Sequence, residues 1–110
     1  MTTPLTVAGG QGGTHSSFCK SISTFRNSLV LVANAAQDVV ITGGASLLFI
    51  TSSVAGTNFW VDEAKTAVIP TVTTVLGTAP MLNPGGLIVT PSQRLSFISD
   101  SNVTLILEYY

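Results

Sequence analysis

The amino-acid sequence predicts an all-β domain, built either as a sandwich or as a barrel. From Ser28 onward, short runs of β-branched residues are separated by turn residues about every eight to twelve positions, a spacing typical of these folds. Helix-forming residues never combine at the helical period, and the best helical candidate, residues 62–65, spans a single turn. With 110 residues, the chain forms one domain that needs no metal or disulfide to stabilise its core.

The same spacing predicts about eight strands joined by turns of recognisable chemistry. Gly43 and Gly44 can both adopt positive φ in a tight hairpin. Residues 83–86 (Asn-Pro-Gly-Gly) place Pro second and Gly third, as in a type II turn, and residues 100–102 (Asp-Ser-Asn) are expected to close the last hairpin. The expected strands lie near residues 28–33, 38–42, 45–51, 58–62, 66–69 or 72–76, 86–90, 94–99 and 103–109.

The first 27 residues differ from the rest of the chain, because they are rich in Gly, Ser and Thr. Such a segment is typical of a flexible arm, so we divide the chain into an extended arm, residues 1–27, and a β-sandwich domain, residues 28–110. We expect the arm to lie against the domain or against a neighbouring chain, and a well-packed first strand is the alternative. The segment has neither the basic region nor the apolar core of a secretory signal.

The composition indicates a subunit of an assembly. Mean hydropathy is +0.54 and only 8% of residues are charged, yet polar residues or glycine interrupt every apolar run well before it could cross a bilayer. A soluble monomer of this size normally covers itself with charge. The surplus apolar surface therefore predicts contact with other protein chains.

Several predicted strands carry apolar residues on both faces. The surplus apolar surface is therefore expected on the strand faces that point away from the core. In the final strand, residues 103, 105, 107 and 109 share the face expected in the core, whereas Ile106 lies on the other face. A sandwich buries one face of each sheet, so the second face needs a partner. The predicted interface residues are Val30, Val32, Ile98, Ile106 and Tyr110 from the strands, and Thr2, Leu5 and Val7 from the arm.

Charge and cysteine content argue against several functional classes. The net charge of −1, with single scattered charges, gives no basic surface for nucleic acid and no polybasic membrane anchor. Cys19 is the only cysteine, so no intrachain disulfide forms, and synthesis in the cytoplasm is expected.

The sequence offers little catalytic chemistry. His15 and Cys19 are four positions apart but have no second His or Cys to complete a metal site; three His15 side chains on a trimer axis are the one metal arrangement left open. Asp62 and Glu63 are adjacent and would point to opposite faces of a strand. We therefore expect no enzyme, no cofactor and no metal. Trp60 and the two terminal tyrosines could instead stack on a sugar, although packing of these rings is favoured.

Residues 83–98 and 100–110 resemble the ends of small virion proteins of tailed bacteriophages, with a strand, a turn containing Pro91, a strand, a short polar turn and an alternating Val/Thr strand that ends in aromatics. The chain is most similar to capsid decoration, or cement, proteins. This resemblance implies a β-sandwich of jelly-roll type with about eight strands. It also implies a homotrimer that binds the major capsid protein between capsomers and stabilises the icosahedral head. The alternative is a carbohydrate-binding domain of a phage tail or fibre adhesin.

Overall fold

The computed structural model of the protein describes residues 22–23 and 25–110, and this part of the chain is all-β without a helix. Two antiparallel sheets of four strands each account for its regular structure. The strands are β1 (Phe25–Leu31), β2 (Gln37–Val40), β3 (Leu47–Ser52), β4 (Phe59–Glu63), β5 (Met81–Leu82), β6 (Gly86–Ile88), β7 (Arg94–Ser99) and β8 (Val103–Tyr109). The predicted fold class and strand number are confirmed.

The first sheet has the strand order β1-β8-β3-β6, and the second has the order β2-β7-β4-β5. Leu105 is paired with Leu29 on one side and with Ser52 on the other, so β8 lies between β1 and β3. In the second sheet β7 lies in the same way between β2 and β4. The first strand, predicted near residues 28–33, runs from Phe25 to Leu31.

The core lies between the two sheets. Residues 103, 105, 107 and 109 of β8 are buried and the residues between them are partly exposed, as their alternation predicts. Facing them from the second sheet are Val61, Leu95 and Phe97, all buried. One apolar cluster joins these residues with Leu31 and Leu48 of the first sheet, and this cluster holds the sandwich together.

Consecutive strands alternate between the two sheets, with β4 and β5 as the exception among the described strands. The hairpins predicted at Gly43-Gly44 and at residues 100–102 are therefore wrong, because each of these turns carries the chain from one sheet to the other. Gly43 adopts a φ of 60° and Gly44 does not adopt a positive φ. A turn residue signals a change of direction, and it does not say which strand the chain joins next.

The turn at residues 83–86 also differs from the predicted type II turn. Asn83 takes the positive φ, 47°, and Gly85 does not. The Asn83 side chain explains this choice, because its Oδ1 accepts a hydrogen bond from the Phe59 amide at 2.7 Å. Asparagine tolerates the left-handed region better than other residues with a side chain, and here it fastens β5 to the start of β4.

Residues 64–80 form no strand, so the strand predicted at 66–69 or 72–76 is wrong. Pro70 interrupts the β-branched run and cannot donate to a ladder. The strand of this region is the two-residue β5, which the sequence pattern missed because it has no alternation to detect. We call residues 64–80 the covering segment, for the reason given below.

Tyr109 is the largest fully buried side chain of the core, and its hydroxyl remains polar inside it. Asn27 Nδ2 donates a hydrogen bond of 3.3 Å to the Tyr109 hydroxyl. Burial raises the pKa of this phenol above the ordinary value of 10.0, and the hydrogen bond from Asn27 opposes the rise without cancelling it.

We predict that the free energy of unfolding falls at alkaline pH because of Tyr109. The unfolded phenol ionises near its ordinary pKa, whereas the folded phenol holds its proton to higher pH. Stability from this group is therefore complete below about pH 10 and is lost as the pH rises through the folded pKa. Denaturant unfolding at pH 8 and pH 11 measures the loss, and Tyr109→Phe should lose less stability over that interval. An equal or greater loss in Tyr109→Phe would contradict the assignment.

Candidate binding surfaces

The outer face of the first sheet is a broad surface of strand side chains, which we call the first-sheet face. Residues one position out of phase with the core form it, because successive side chains of a strand point to opposite sides. Its members are Arg26, Ser28 and Val30 of β1, Thr104, Ile106 and Glu108 of β8 with the following Tyr110, Leu47, Phe49 and Thr51 of β3, and Gly86 and Ile88 of β6.

The first-sheet face carries several large apolar side chains among polar ones. Val30 is 60% exposed and Ile88 is 88% exposed, and Val32 continues the same side just past the end of β1. Ile106 is half-buried at the centre, where Ser28 and Thr51 are its cross-strand neighbours. Val30 and Ile88 lie on the two edge strands of this sheet with Ile106 between them, so exposed apolar groups are spread across the face, as on a contact surface.

Two aromatic rings give one side of this face a fixed shape. Phe49 and Tyr110 pack edge to face, with ring centroids 5.5 Å apart. Gly86 lies opposite Phe49 in the ladder, and a Cβ added there would stand 3.1 Å from Phe49 Cε1. The Phe49 ring therefore packs over the backbone of Gly86, where no side chain stands in its way. This contact and the Tyr110 ring together fix the position of the Phe49 side chain.

The outer side of the second sheet is covered by the chain itself. Ser96 Oγ accepts a hydrogen bond of 2.9 Å from the Ala67 amide, and both residues are buried. Lys65 Nζ lies 3.5 Å from Asp62 and donates to Thr78 Oγ1 at 2.8 Å, which fastens the two ends of the covering segment. The two sides of the sandwich thus differ, because no described residue covers the first-sheet face in this way.

The covering segment carries a second apolar surface, which we call the apolar tip and define as Val72, Val75 and Leu76. Val72 and Val75 are each 77% exposed, and Leu76 is fully exposed. Leu76 also has a φ of 57°, in the left-handed region that a leucine rarely occupies. A residue that adds strain and buries nothing within its own chain indicates a role in contact with another molecule.

A cleft of about 260 Å³ lies beside the ion pair of Lys65 and Asp62. Threonine, valine and proline side chains line most of it, and among the described residues that line it there is no aromatic ring. The described part of the chain holds no group of three His, Cys, Asp or Glu side chains that could bind a metal ion. His15 and Cys19 lie outside the described residues.

The predicted interface residues fall into three groups. Val30, Val32, Ile106 and Tyr110 belong to or border the first-sheet face. Ile98 does not, because it lies in the second sheet and is only 7% exposed, so the chain alone already buries it. The arm positions Thr2, Leu5 and Val7 lie outside the described residues.

Sequence reasoning missed other members of these surfaces. Phe49 and Ile88 are adjacent in sequence to the core residues Leu48 and Val89. Side chains alternate between the two faces of a strand, so this alternation predicts that Phe49 and Ile88 lie on the outer face once the strands are known. The apolar tip had no such signal, because the run that contains it was read as a strand.

No helix between Ile22 and Tyr110, as far as the structure describes these residues, is long and apolar enough to cross a membrane. Comparisons with protein-family models, curated proteins and solved structures find no match to this chain.

We predict that Val30→Asp disrupts self-association and leaves the fold intact. The new carboxylate would enter an apolar contact on the first-sheet face, where an unpaired charge costs several kcal/mol. Val40→Asp is the matched control, since Val40 is 56% exposed on an edge strand of the other sheet. Light scattering and thermal melting measure the two properties, and Ile106→Asp should behave like Val30→Asp.

For the core variant Leu105→Ala we expect the converse result, a less stable fold with unchanged association. Leu105 is fully buried, so its truncation should cost about 2 to 5 kcal/mol of unfolding free energy while the folded chains still associate. Equal association of Val30→Asp and Val40→Asp would exclude the first-sheet face as the seam between copies.

Proposed function

We propose that this chain is a structural subunit of a virus particle, a decoration or cement protein on the capsid surface of a tailed bacteriophage. It binds between capsomers as a homotrimer, contacts the major capsid protein and strengthens the icosahedral head. It is made in the host cytoplasm and acts without catalysis, cofactor or metal. The observation that carries this proposal is the pair of separate apolar surfaces on opposite sides of the sandwich.

The strand order supports a jelly-roll fold for this role. A jelly roll wraps two Greek keys around a sandwich of eight strands, so that neighbours along the chain fall in different sheets. The sheet orders β1-β8-β3-β6 and β2-β7-β4-β5, in which β4 and β5 alone of the described consecutive strands share a sheet, support this assignment. Viral capsid domains use the fold, and so do lectins and other proteins, so the fold agrees with the proposal without deciding it.

A decoration protein needs two kinds of contact, one with its own copies and one with the shell. A subunit that only trimerised would need a single apolar surface. Here the first-sheet face and the apolar tip belong to opposite sides, because one is built from the first sheet and the other from the segment that covers the second. Both contacts can therefore form at the same time.

We assign the first-sheet face to contacts between copies. It is the broader of the two surfaces, and a stable interface buries about 800 Å² on each partner. Its charges are few, and Arg26 lies directly opposite Glu108 in the ladder, so association needs little desolvation of ions.

We assign the apolar tip to the shell. Three exposed apolar side chains in one loop suit insertion into a small depression between coat subunits, where each buried side chain contributes about 1.5 to 3 kcal/mol. One tip binds weakly, but three tips on one trimer bind together and raise the overall affinity without new contacts.

The alternative function, a carbohydrate-binding tail or fibre domain, has less support. Sugar sites combine an aromatic platform with clustered polar groups. The cleft beside Lys65 supplies threonines and an ion pair, but Trp60 is not among the residues that line it. A smaller cleft of about 150 Å³ is lined by Phe25, Tyr109 and Tyr110 with Gly44 and Ala45, so it supplies aromatic rings without the clustered polar side chains of a sugar site.

The proposal predicts the mass of the assembly and its number in the particle. Size-exclusion chromatography with light scattering should give three times the 11.4 kDa of one chain at micromolar concentration. Quantitative mass spectrometry of purified virions should give hundreds of copies, on the scale of the coat protein. A monomer in solution would contradict the trimer, and tens of copies or fewer would favour the tail or fibre alternative.

A substitution at the apolar tip separates attachment from stability. Leu76→Asn removes the apolar side chain and introduces a residue that tolerates positive φ, so the melting temperature should stay or rise. Co-sedimentation with purified heads that lack the protein should show at least about a tenfold loss of affinity, the equivalent of about 1.4 kcal/mol. Val54→Asn, in an exposed loop between β3 and β4, is the control and should bind like the native chain. Unchanged attachment of Leu76→Asn would remove the tip from the contact.

A further inference from the structure

Residues 68–77, which include the apolar tip, make no backbone hydrogen bond with one another or with any other described residue. The contacts that hold the covering segment lie outside this stretch. The Ala67 amide donates to Ser96 Oγ, and Lys65 Nζ donates to the Thr78 carbonyl at 3.1 Å. The backbone groups of residues 68–77 are therefore available to a partner, although such groups are normally paired inside a fold.

Part of this stretch has the sequence of a β-strand. Residues 71–76, which we call the unpaired run, read Thr-Val-Thr-Thr-Val-Leu and are β-branched at five of six positions. They contain no charge, proline or glycine, and all six are exposed. An exposed run of this composition is prone to pair with another strand. The structure thus presents a strand-forming segment without a strand beside it.

The conformation of Leu76 favours the same interpretation. Its φ of 57° lies in the left-handed region, whereas every residue of a β-strand has a negative φ. The bend beside it is tight, because a Cβ added at Gly77 would stand 2.5 Å from Thr74 Cγ2. Extension of the unpaired run into a strand would return Leu76 to the region that a leucine prefers.

We propose that the unpaired run becomes a β-strand by adding to an exposed strand edge of the shell protein. The choice of partner rests on the proposed function, and the inference deepens it by adding backbone pairing to the contact of the tip side chains. In such strand addition, main-chain hydrogen bonds supply affinity and alternate side chains supply specificity. No charged residue lies between residues 66 and 93, so we expect an uncharged edge as the partner.

A second copy of the chain suits the unpaired run less well. Contacts between copies are assigned to the first-sheet face, on the opposite side of the sandwich. Pairing of two unpaired runs would then join separate assemblies and would increase with protein concentration.

Pro70 decides which backbone groups face the partner. Successive residues of a strand direct their backbone groups to opposite edges, so residues 71, 73 and 75 form one set and residues 70, 72, 74 and 76 the other. A proline in an edge strand directs its nitrogen to solvent, because it has no N–H to donate. Thr71, Thr73 and Val75 therefore face the partner.

Amide hydrogen exchange tests the pairing on the native chain, free and attached to purified heads that lack the protein. On heads, the Thr73 and Val75 amides should exchange at least about tenfold more slowly than in the free chain, while the Val72 and Thr74 amides keep their free rates. Attachment with no protection, or with equal protection of all four amides, would overturn the proposal. Protection that appears in the free chain as its concentration rises would also overturn it, because the partner would then be a second copy.

Two proline variants test the phase of the strand. Thr73→Pro removes an N–H that faces the partner, whereas Thr74→Pro, the matched control, removes one that faces solvent. Neither N–H bonds within the described chain and the tip side chains stay in place, so both variants should melt like the native protein. Co-sedimentation with heads should show at least about a tenfold loss of affinity for Thr73→Pro and at most about a threefold loss for Thr74→Pro. Equal affinities of the two variants would overturn the backbone pairing.

Failure of the strand and failure of the proposed function give different results. If the native chain does not sediment with heads, shell binding and the strand are both wrong. If it sediments but its amides stay unprotected and the two proline variants bind alike, the strand alone is wrong and the tip binds through its side chains.

Discussion

The pairing of β8 between β1 and β3 is the constraint on which the rest of the structure depends. It joins segments that are far apart in the sequence, so the entropy of closing long loops must be offset by apolar burial between the sheets. The register of β8 also decides which side chains belong to which surface. A slip of one residue would move Leu105 and Leu107 to the outside and bring Ile106 and Glu108 into the core. The register of β8 therefore determines both which residues form the core and which form the first-sheet face.

The asymmetry of the sandwich follows from what each sheet meets on its outer side. The second sheet presents Ser96, whose hydroxyl satisfies the backbone of the covering segment, and its neighbour Ile98 is buried on the same side. The first sheet presents Val30 and Ile106 and receives no such segment from the described residues. The two outer sides of the sandwich are therefore chemically different surfaces.

The sequence predicted the faces of the strands better than their connections. The alternation in β8 identified both the core side and Ile106, because period two is a local property. It could not show that residues 100–102 lead into the other sheet, since a turn looks the same whichever sheet follows. The β-branched run around Pro70 was read as a strand because propensity ignores what a segment packs against. Strand alternation likewise put Ile98 on an outer face without showing that the chain itself buries this residue.

The strand order also determines where the chain can accept an inserted peptide. The connections between the two sheets join the ends of their strands. The connection from β3 to β4 is fastened at its base, where the Ser53 amide bonds to the Thr104 carbonyl at 2.8 Å, while Ala55 and Gly56 at its tip are exposed. A foreign peptide inserted between Ala55 and Gly56 would extend from this end and leave the ladders intact. The domain is thus suited to the display of one inserted peptide for every copy of the chain.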